Sequence, residues 1–356
     1  MKIAIIVGTR PEIIKMSPII KYCQSNNIKH DIIHSQQHYS NNMDEIFFEN
    51  LEIKYPKLFL GVKSKSPHEQ ISEIMVKCGD IFIKNKYDFV LVQGDTNTVL
   101  GAALAANKCG VKIGHVEAGL RSFDLSMPEE VNRILTDNIS DYCFCPTAIS
   151  ESYLKKSGIN QSKLFVVGNT IVDSIHSNLN KFKNIDITNE LKIKSRYALV
   201  TLHRPSNVDN DLNLTKIIET LKLVSNKFKY QIVFPVHPRT KNNIIKADID
   251  TNDILIIDPL GYFDFLALIY NSSLILTDSG GIQEEACILK KPCITLRENT
   301  ERPETVTVGS NILTGLDQDK IIDAVNYWQN NPNTWVNPFG TGNTSEQIIN
   351  ILLNDK

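Results

Sequence analysis

Leu274-Ile-Leu-Thr-Asp-Ser-Gly-Gly-Ile-Gln-Glu-Glu-Ala286 is the stretch on which the reading of this chain turns. The apolar run 274–276 reads as a buried strand, and Thr277-Asp278-Ser279-Gly280-Gly281 turns into a helix opened by Ile282. A short apolar strand that passes through a glycine turn straight into a helix is the repeating piece of a parallel sheet wrapped on both faces. The turn also leaves backbone N–H groups uncovered at the positive end of a helix, a seat for an anion and most naturally a diphosphate. The same residues suit an ordinary strand-to-helix turn with Ser279 as N-cap. The surrounding chain decides between the two.

The same piece recurs in both directions. Further strands are predicted over 198–201, 231–234, 254–257, 293–296 and 311–313, with Leu214, Ile217, Ile218, Leu221, Val224 and Phe228 at helical spacing between the first two. Upstream, strands are predicted over 2–7, 31–34, 89–93, 112–116, 142–145 and 164–167, and Ile71, Ile74, Met75, Cys78 and Phe82 mark a helix. The fold class is therefore α/β, with two doubly wound Rossmann-like domains. The crossing is expected near Gly168-Asn169-Thr170, which gives a first domain of 1–168 and a second of 169–342. The polar stretch 181–194 shows little period and reads as exposed. After the break at Asn337-Pro-Phe-Gly-Thr-Gly-Asn343, a final helix within 343–356 carries Ile348, Ile349 and Leu352 on one side and is expected to rejoin the first domain. Two such domains facing each other put the carboxyl ends of both sheets on a shared cleft.

Composition excludes several classes of partner. With 356 residues, a formal charge of −2 and no Lys/Arg block, the chain lacks an electrostatic footprint for nucleic acid or an anionic membrane. Its seven cysteines form no CxxC pair, and Cys143 and Cys145 fall on one face of a strand, so buried reduced thiols in a reducing compartment are expected. The apolar N-terminal run ends at Val7 and leads into Gly8-Thr-Arg-Pro-Glu12, which reads as a first strand and not a signal peptide. No apolar run approaches the roughly 20 residues that span a bilayer. A soluble, cytoplasmic protein that handles small molecules is the expectation.

Polar residues gather at the carboxyl ends of the predicted strands. After the first, Pro11 opens a helix, Arg10 stands at the cleft mouth or is a solvated surface arginine, and Lys15 lies about one turn inside. The run is not GxGxxG, which disfavours a nicotinamide cofactor. Asp95 follows the 89–93 strand, either facing the cleft or capping a helix for which Thr96 and Asn97 are also available. Glu117 ends the next strand, and a buried carboxylate there needs a partner or a task; Arg121 is the candidate partner. Glu129 and Arg133 lie four apart on one helical face and could form a surface pair. Carboxylates converging on one pocket would push at least one pKa up and so supply both an acid and a base near neutrality. His203, before Arg204-Pro205, and His237, before Pro238, follow successive strands with a fixed aim, suited to a phosphate oxygen or a proton transfer, or else to a structural role. No H-x₃₋₅-H or HExxH spacing calls for zinc. Arg302, beside Pro303, is placed for a phosphate clamp or for solvation.

Gly8-Thr-Arg-Pro-Glu12, Gln93-Gly-Asp-Thr96, Gly114-His-Val-Glu-Ala-Gly-Leu-Arg121, Pro128-Glu-Glu, Asn132-Arg133, Gly168-Asn-Thr170, Thr277-Asp-Ser-Gly-Gly-Ile-Gln-Glu-Glu-Ala286 and Thr300-Glu-Arg-Pro-Glu304 together resemble the non-hydrolysing UDP-N-acetylglucosamine 2-epimerases, in order over essentially the whole chain. The resemblance implies a glycosyltransferase-B-like fold, a UDP-sugar substrate, no cofactor, no metal and a homodimer. It implies interconversion of UDP-GlcNAc and UDP-ManNAc by elimination of UDP to 2-acetamidoglucal and re-addition, supplying ManNAc-type sugars for surface polysaccharide or glycan synthesis. Carried over by position, Asp95, Glu117, Glu129 and His203 are the catalytic set. Arg10, Lys15, Arg133 and His237 surround phosphates and sugar; Ser279, Gly280, Gly281 and Glu285 meet diphosphate and ribose; Arg302 is a further clamp; Leu260 and Phe265 hold the uracil.

One motif departs from the family. Many bacterial members continue the histidine motif as His-Arg-Arg-Glu, whereas here it runs His203-Arg204-Pro205-Ser206, so activation by a second UDP-GlcNAc is not implied. Competing readings are an epimerase of another UDP-2-acetamido sugar, a glycosyltransferase of the same fold, and a non-catalytic UDP-sugar sensor. The transferase would need an acceptor channel and one base, and the sensor would have no need of the carboxylates.

Overall fold

The computed structural model describes residues 1–36, 47–62, 66–331 and 333–355. The chain divides into two compact units, one of Met1–His176 with Phe339–Lys356 and one of Ser177–Pro338.

In the first unit, strands β1 (Lys2–Val7), β2 (Lys29–His34), β3 (Leu58–Phe59), β4 (Phe89–Gln93), β5 (Lys112–Val116), β6 (Tyr142–Cys145) and β7 (Leu164–Val166) form one sheet in the order β3-β2-β1-β4-β5-β6-β7. Every pairing is parallel, with Ile3 beside both His30 and Phe89. Ile3 to Val7 and Val90 to Val92 are buried, as a sheet covered on both faces requires. β3 was not expected from the sequence, because two residues, one half-buried and one exposed, make no apolar run. The helices Pro67–Asn85 and Asn97–Lys108 pack closely beside the sheet. A Cβ at Gly101 would lie 3.0 Å from the Ile71 carbonyl oxygen and 2.9 Å from Ile74, so the small-residue run 101–106 is what lets them approach.

The second unit repeats the plan. Strands β8 (Tyr197–Thr201), β9 (Gln231–Pro235), β10 (Ile254–Ile257), β11 (Leu274–Thr277), β12 (Cys293–Thr295) and β13 (Asn311–Leu313) are ordered β10-β9-β8-β11-β12-β13. In both sheets the order reverses beside the first strand, between β1 and β4 and between β8 and β11. Those are the switch points outside which doubly wound folds bind ligands.

Two boundaries differ from the sequence reading. The division falls at His176 and not at 168, because Asp173 on the helix Thr170–Lys183 accepts bonds from Ser345 N–H (2.9 Å), Ser345 Oγ (2.7 Å) and Thr344 N–H (3.3 Å). Its early turns are thereby tied to the C-terminal helix Thr344–Leu353, which packs on the helix Arg10–Ser25 through buried Ile348, Ile349 and Leu352. The stretch 181–194 is not uniformly exposed: it holds the end of that first helix and the turn Ile187–Glu190, with Phe182 and Ile187 buried.

Candidate active site

At the first switch point, Thr9 and Glu12 form a capping box at the start of Arg10–Ser25. Glu12 is buried; Oε2 accepts from Gly8 N–H (2.5 Å) and Thr9 N–H (3.0 Å), and Oε1 accepts from Thr96 Oγ (2.5 Å). Burial outweighs these bonds, and the nearby Asp95 adds to it, so the carboxyl is pushed up to about 7. Glu12 thus clasps the ends of β1 and β4, a role the sequence reading missed although the Thr-x-x-Glu spacing announces it. Arg10 lies over the Phe47 ring, 5.9 Å from its centroid.

Glu117 stands in the left-handed region at φ +69, a conformation uncommon for a residue with a side chain. Its partner is Lys15 and not Arg121: Lys15 Nζ lies 2.6 Å from Glu117 Oε1, both side chains buried. Gln93 Nε2 donates to Oε2, and Asn169 Nδ2 reaches Oε1 at 3.5 Å. Arg121 instead pairs at 2.7 Å with buried Asp137, which also holds His115 Nδ1 at 2.7 Å. His115 Nε2 in turn holds the Gly94 carbonyl at 2.8 Å. A buried histidine, aspartate and arginine therefore fix the loop that carries Asp95.

Asp95 pairs with Arg133 Nη1, and its carbonyl accepts from Asn132 Nδ2 at 2.9 Å. Arg133 does not pair with Glu129. It folds back three residues to Glu130, with Nε at 2.9 Å and Nη2 at 2.7 Å. Glu130 also accepts from Ser122 N–H (3.0 Å) and Phe123 N–H (3.1 Å). Burial raises the Glu130 pKa, but these donors and Arg133 hold it below the ordinary carboxylate value. Glu129, one position earlier, is exposed. The geometry thus gathers Lys15 with Glu117, and Asp95 with Arg133 and Glu130, and leaves Glu129 at the surface.

At the second switch point Ser279 occupies the N-cap position of Gly280–Ile288 without a side-chain capping bond; its own N–H is held by Thr277 Oγ at 2.9 Å. A Cβ on Gly281 would meet nothing within 4 Å, whereas one on Gly280 would lie 3.2–3.5 Å from the Arg302 guanidinium. Arg302 Nε bonds buried Glu284 at 2.9 Å, which sets the cation behind the glycine turn. Glu285, on the same helix, is buried. Glu301 is held down to about 2: burial raises it, and Arg297 and Arg302 more than offset that. His203, at the end of β8, sets Nδ1 2.9 Å from Oδ1 of Asp278, at the end of β11. Asp278 is a second residue the sequence reading missed. His237 caps Pro238–Lys246 after β9, with Nδ1 accepting from Arg239 N–H at 3.3 Å. Leu260 follows β10 and Phe265 lies in the first turn of Tyr262–Asn271, both half-buried. All seven cysteines are free thiols, Cys109 half-buried and the others buried.

A family model described as UDP-N-acetylglucosamine 2-epimerase matches residues 21–353. The chain belongs to this epimerase family. The UDP-N-acetylglucosamine 2-epimerase of Methanocaldococcus jannaschii is 50% identical to it, over 99% of either chain. The crystal structure of that species' UDP-GlcNAc 2-epimerase in complex with UDP-GlcNAc and UDP matches with a TM-score of 0.92, covering 99% of this chain and 100% of that one at 49% identity. The UDP-2,3-diacetamido-2,3-dideoxy-D-glucuronate 2-epimerase of Pseudomonas aeruginosa is 40% identical over 91% of each chain. A glycosyltransferase from Rickettsia africae, 15% identical with a TM-score of 0.61, shares the fold alone. This epimerase-family member is thus a pair of doubly wound α/β units of the glycosyltransferase-B-like class. No helix among its described residues is long and apolar enough to cross a membrane.

Proposed function

We propose that the chain reversibly converts UDP-GlcNAc to UDP-ManNAc without hydrolysis, by elimination of UDP to 2-acetamidoglucal and re-addition. The observation that carries this reading is the end-to-end match to a relative whose structure is a complex with UDP-GlcNAc and UDP. The C2 proton has no adjacent carbonyl, so its removal must be coupled to departure of the diphosphate. That calls for a base at C2, a proton donor toward the leaving oxygen, and a fixed anion seat that keeps UDP bound between the two half-reactions.

In this reading Asp95, Glu117 and Glu129 are the candidate carboxylates and His203 the candidate imidazole. Lys15 and Arg133 orient Glu117 and Asp95 as well as meeting the substrate. Gly280 and Gly281 offer backbone N–H groups and Ser279 its hydroxyl to the diphosphate with Arg302 behind them, Arg10 and His237 add charge and polarity at phosphates and sugar, Glu285 takes the ribose, and Leu260 and Phe265 flank the uracil. No cofactor enters the scheme. A cytoplasmic location, where nucleotide sugars are made, and a role in supplying ManNAc-type sugars for surface polysaccharide or glycan synthesis complete it. The homodimer is supported by an exposed apolar arc of Met75, Val76 and Ile83 on the helix Pro67–Asn85, which sedimentation would test.

The deciding experiment is proton NMR of the protein with UDP-GlcNAc alone in D₂O. A growing UDP-ManNAc anomeric signal with deuterium entering C2 and no free ManNAc is expected; free ManNAc, or no exchange, refutes it. The 40% identity to the Pseudomonas diacetamido-glucuronate enzyme favours a second reading, the same chemistry on that sugar. Faster turnover of the uronate in the same assay would select it.

A further inference from the structure

The carboxylate of Asp278 is fully buried while the His203 side chain beside it is 56% exposed. Four donor groups converge on the two oxygens. Oδ1 receives His203 Nδ1 at 2.9 Å and His203 N–H at 3.1 Å; Oδ2 receives Arg204 N–H at 3.1 Å and Asn207 Nδ2 at 3.0 Å. The pairing of Thr201 with Thr277 is the last rung of the β8–β11 ladder. Asp278 and His203 therefore leave adjacent strands just beyond that rung, at the second switch point. Burial works against the charge on Asp278, yet the bonds from His203, Arg204 and Asn207 hold its pKa below the ordinary value. An ionised carboxylate only accepts hydrogen bonds, so the nitrogen facing it carries a hydrogen and the lone pair of the neutral ring lies on the other nitrogen, Nε2.

We propose that Asp278 is a positioning residue for the epimerisation, holding His203 as the Nδ1–H tautomer so that Nε2 alone exchanges a proton with the nucleotide sugar. This rests on the epimerase reading with His203 in the catalytic set, and it adds a residue that acts through His203 without touching substrate. In the forward direction an imidazolium Nε2–H gives its proton to the diphosphate oxygen as the C1–O bond breaks, the bonding pair staying on that oxygen, while a separate base takes the C2 proton. Re-addition returns the proton to Nε2. A neutral ring of the opposite tautomer would present N–H to the substrate and have no lone pair to take that proton back.

The first test reads the tautomer in the wild-type protein. In the wild-type protein labelled with ¹⁵N-histidine, above the titration of the ring, His203 identified by its absence in His203→Asn is expected to show a pyrrole-like Nδ1 and a pyridine-like Nε2. The reverse pattern overturns the proposal. The second is a double-mutant cycle on turnover of UDP-GlcNAc. Asp278→Asn is expected to lower kcat by about three to four orders of magnitude, as expected for a histidine left in the wrong tautomer, with UDP affinity within about threefold. In a His203→Asn background the same change should cost less than about threefold more. Full additivity would mean that Asp278 acts only as an anchor for the 203–207 loop, and would refute the assignment. If wild-type protein turns over neither sugar, the epimerase reading fails, while the ¹⁵N pattern still judges the tautomer.

Discussion

Replacing Glu12 by Gln should change how the stability of the first unit depends on pH. The carboxyl has an ordinary value of 4.5 and is pushed up to about 7 in the folded chain, a difference worth about 3 kcal/mol at ~1.4 kcal/mol per tenfold change in acidity. Below pH 4.5 the group is neutral in both states, and its contribution is fully present. As pH rises from 4.5, the unfolded chain releases its proton while the folded chain keeps it, and the contribution is lost progressively until folded Glu12 also ionises near 7. Gln keeps the size of the neutral acid and its carbonyl can still accept from Gly8 and Thr9, with its amide turned toward Thr96. The stability of Glu12→Gln relative to wild type should therefore rise by about 3 kcal/mol between pH 4.5 and 7.5. Urea unfolding followed by far-UV circular dichroism measures this. The only tryptophans, Trp328 and Trp335, lie in the second unit, so their fluorescence reports a transition that should not follow the difference. A stability difference constant to within ~0.5 kcal/mol over that range would refute the argument.

Three further outcomes follow from the same geometry. Lys15→Met leaves Glu117 buried without its cation and should destabilise the fold by about 3–5 kcal/mol; adding Glu117→Gln should restore most of that in thermal melts, and a Lys15→Met loss under 1 kcal/mol would mean that Gln93 and Asn169 suffice. Asp95→Asn should abolish epimerisation while UDP affinity by calorimetry stays within a few fold, and an unchanged rate would remove Asp95 from the mechanism. Arg302→Ala should weaken UDP binding by about 1.5–3 kcal/mol for a lost charge-assisted contact, whereas unaltered affinity would place Arg302 outside the nucleotide site.

The strands were legible because parallel strands covered on both faces are continuous apolar runs. Among the described residues only β3 escaped, having no run to show. Helices were legible through periodicity and through a proline at the start, as at Pro11. Pairings between elements were not. Glu117 had Arg121 nearby in sequence, but that side chain went to Asp137, and a lysine from another helix took its place. Spacing also allowed Arg133 to reach either Glu129 or Glu130; the choice fell to Glu130 because its carboxylate also satisfies the Ser122 and Phe123 N–H groups. Asp278 lay inside the quoted motif but was hidden, since its partners come from a strand end some 75 residues earlier.

The C-terminal helix also sets an order of maturation. Residues 177–338 are synthesised, and hold all strands of their own sheet, before the segment Phe339–Lys356 exists. Until that segment leaves the ribosome, the helix Arg10–Ser25 lacks the apolar surface of Ile348, Ile349 and Leu352, and Asp173 lacks the N–H groups of Thr344 and Ser345. The unit translated first is therefore completed only after the whole of the second unit and the segment that follows it have been made.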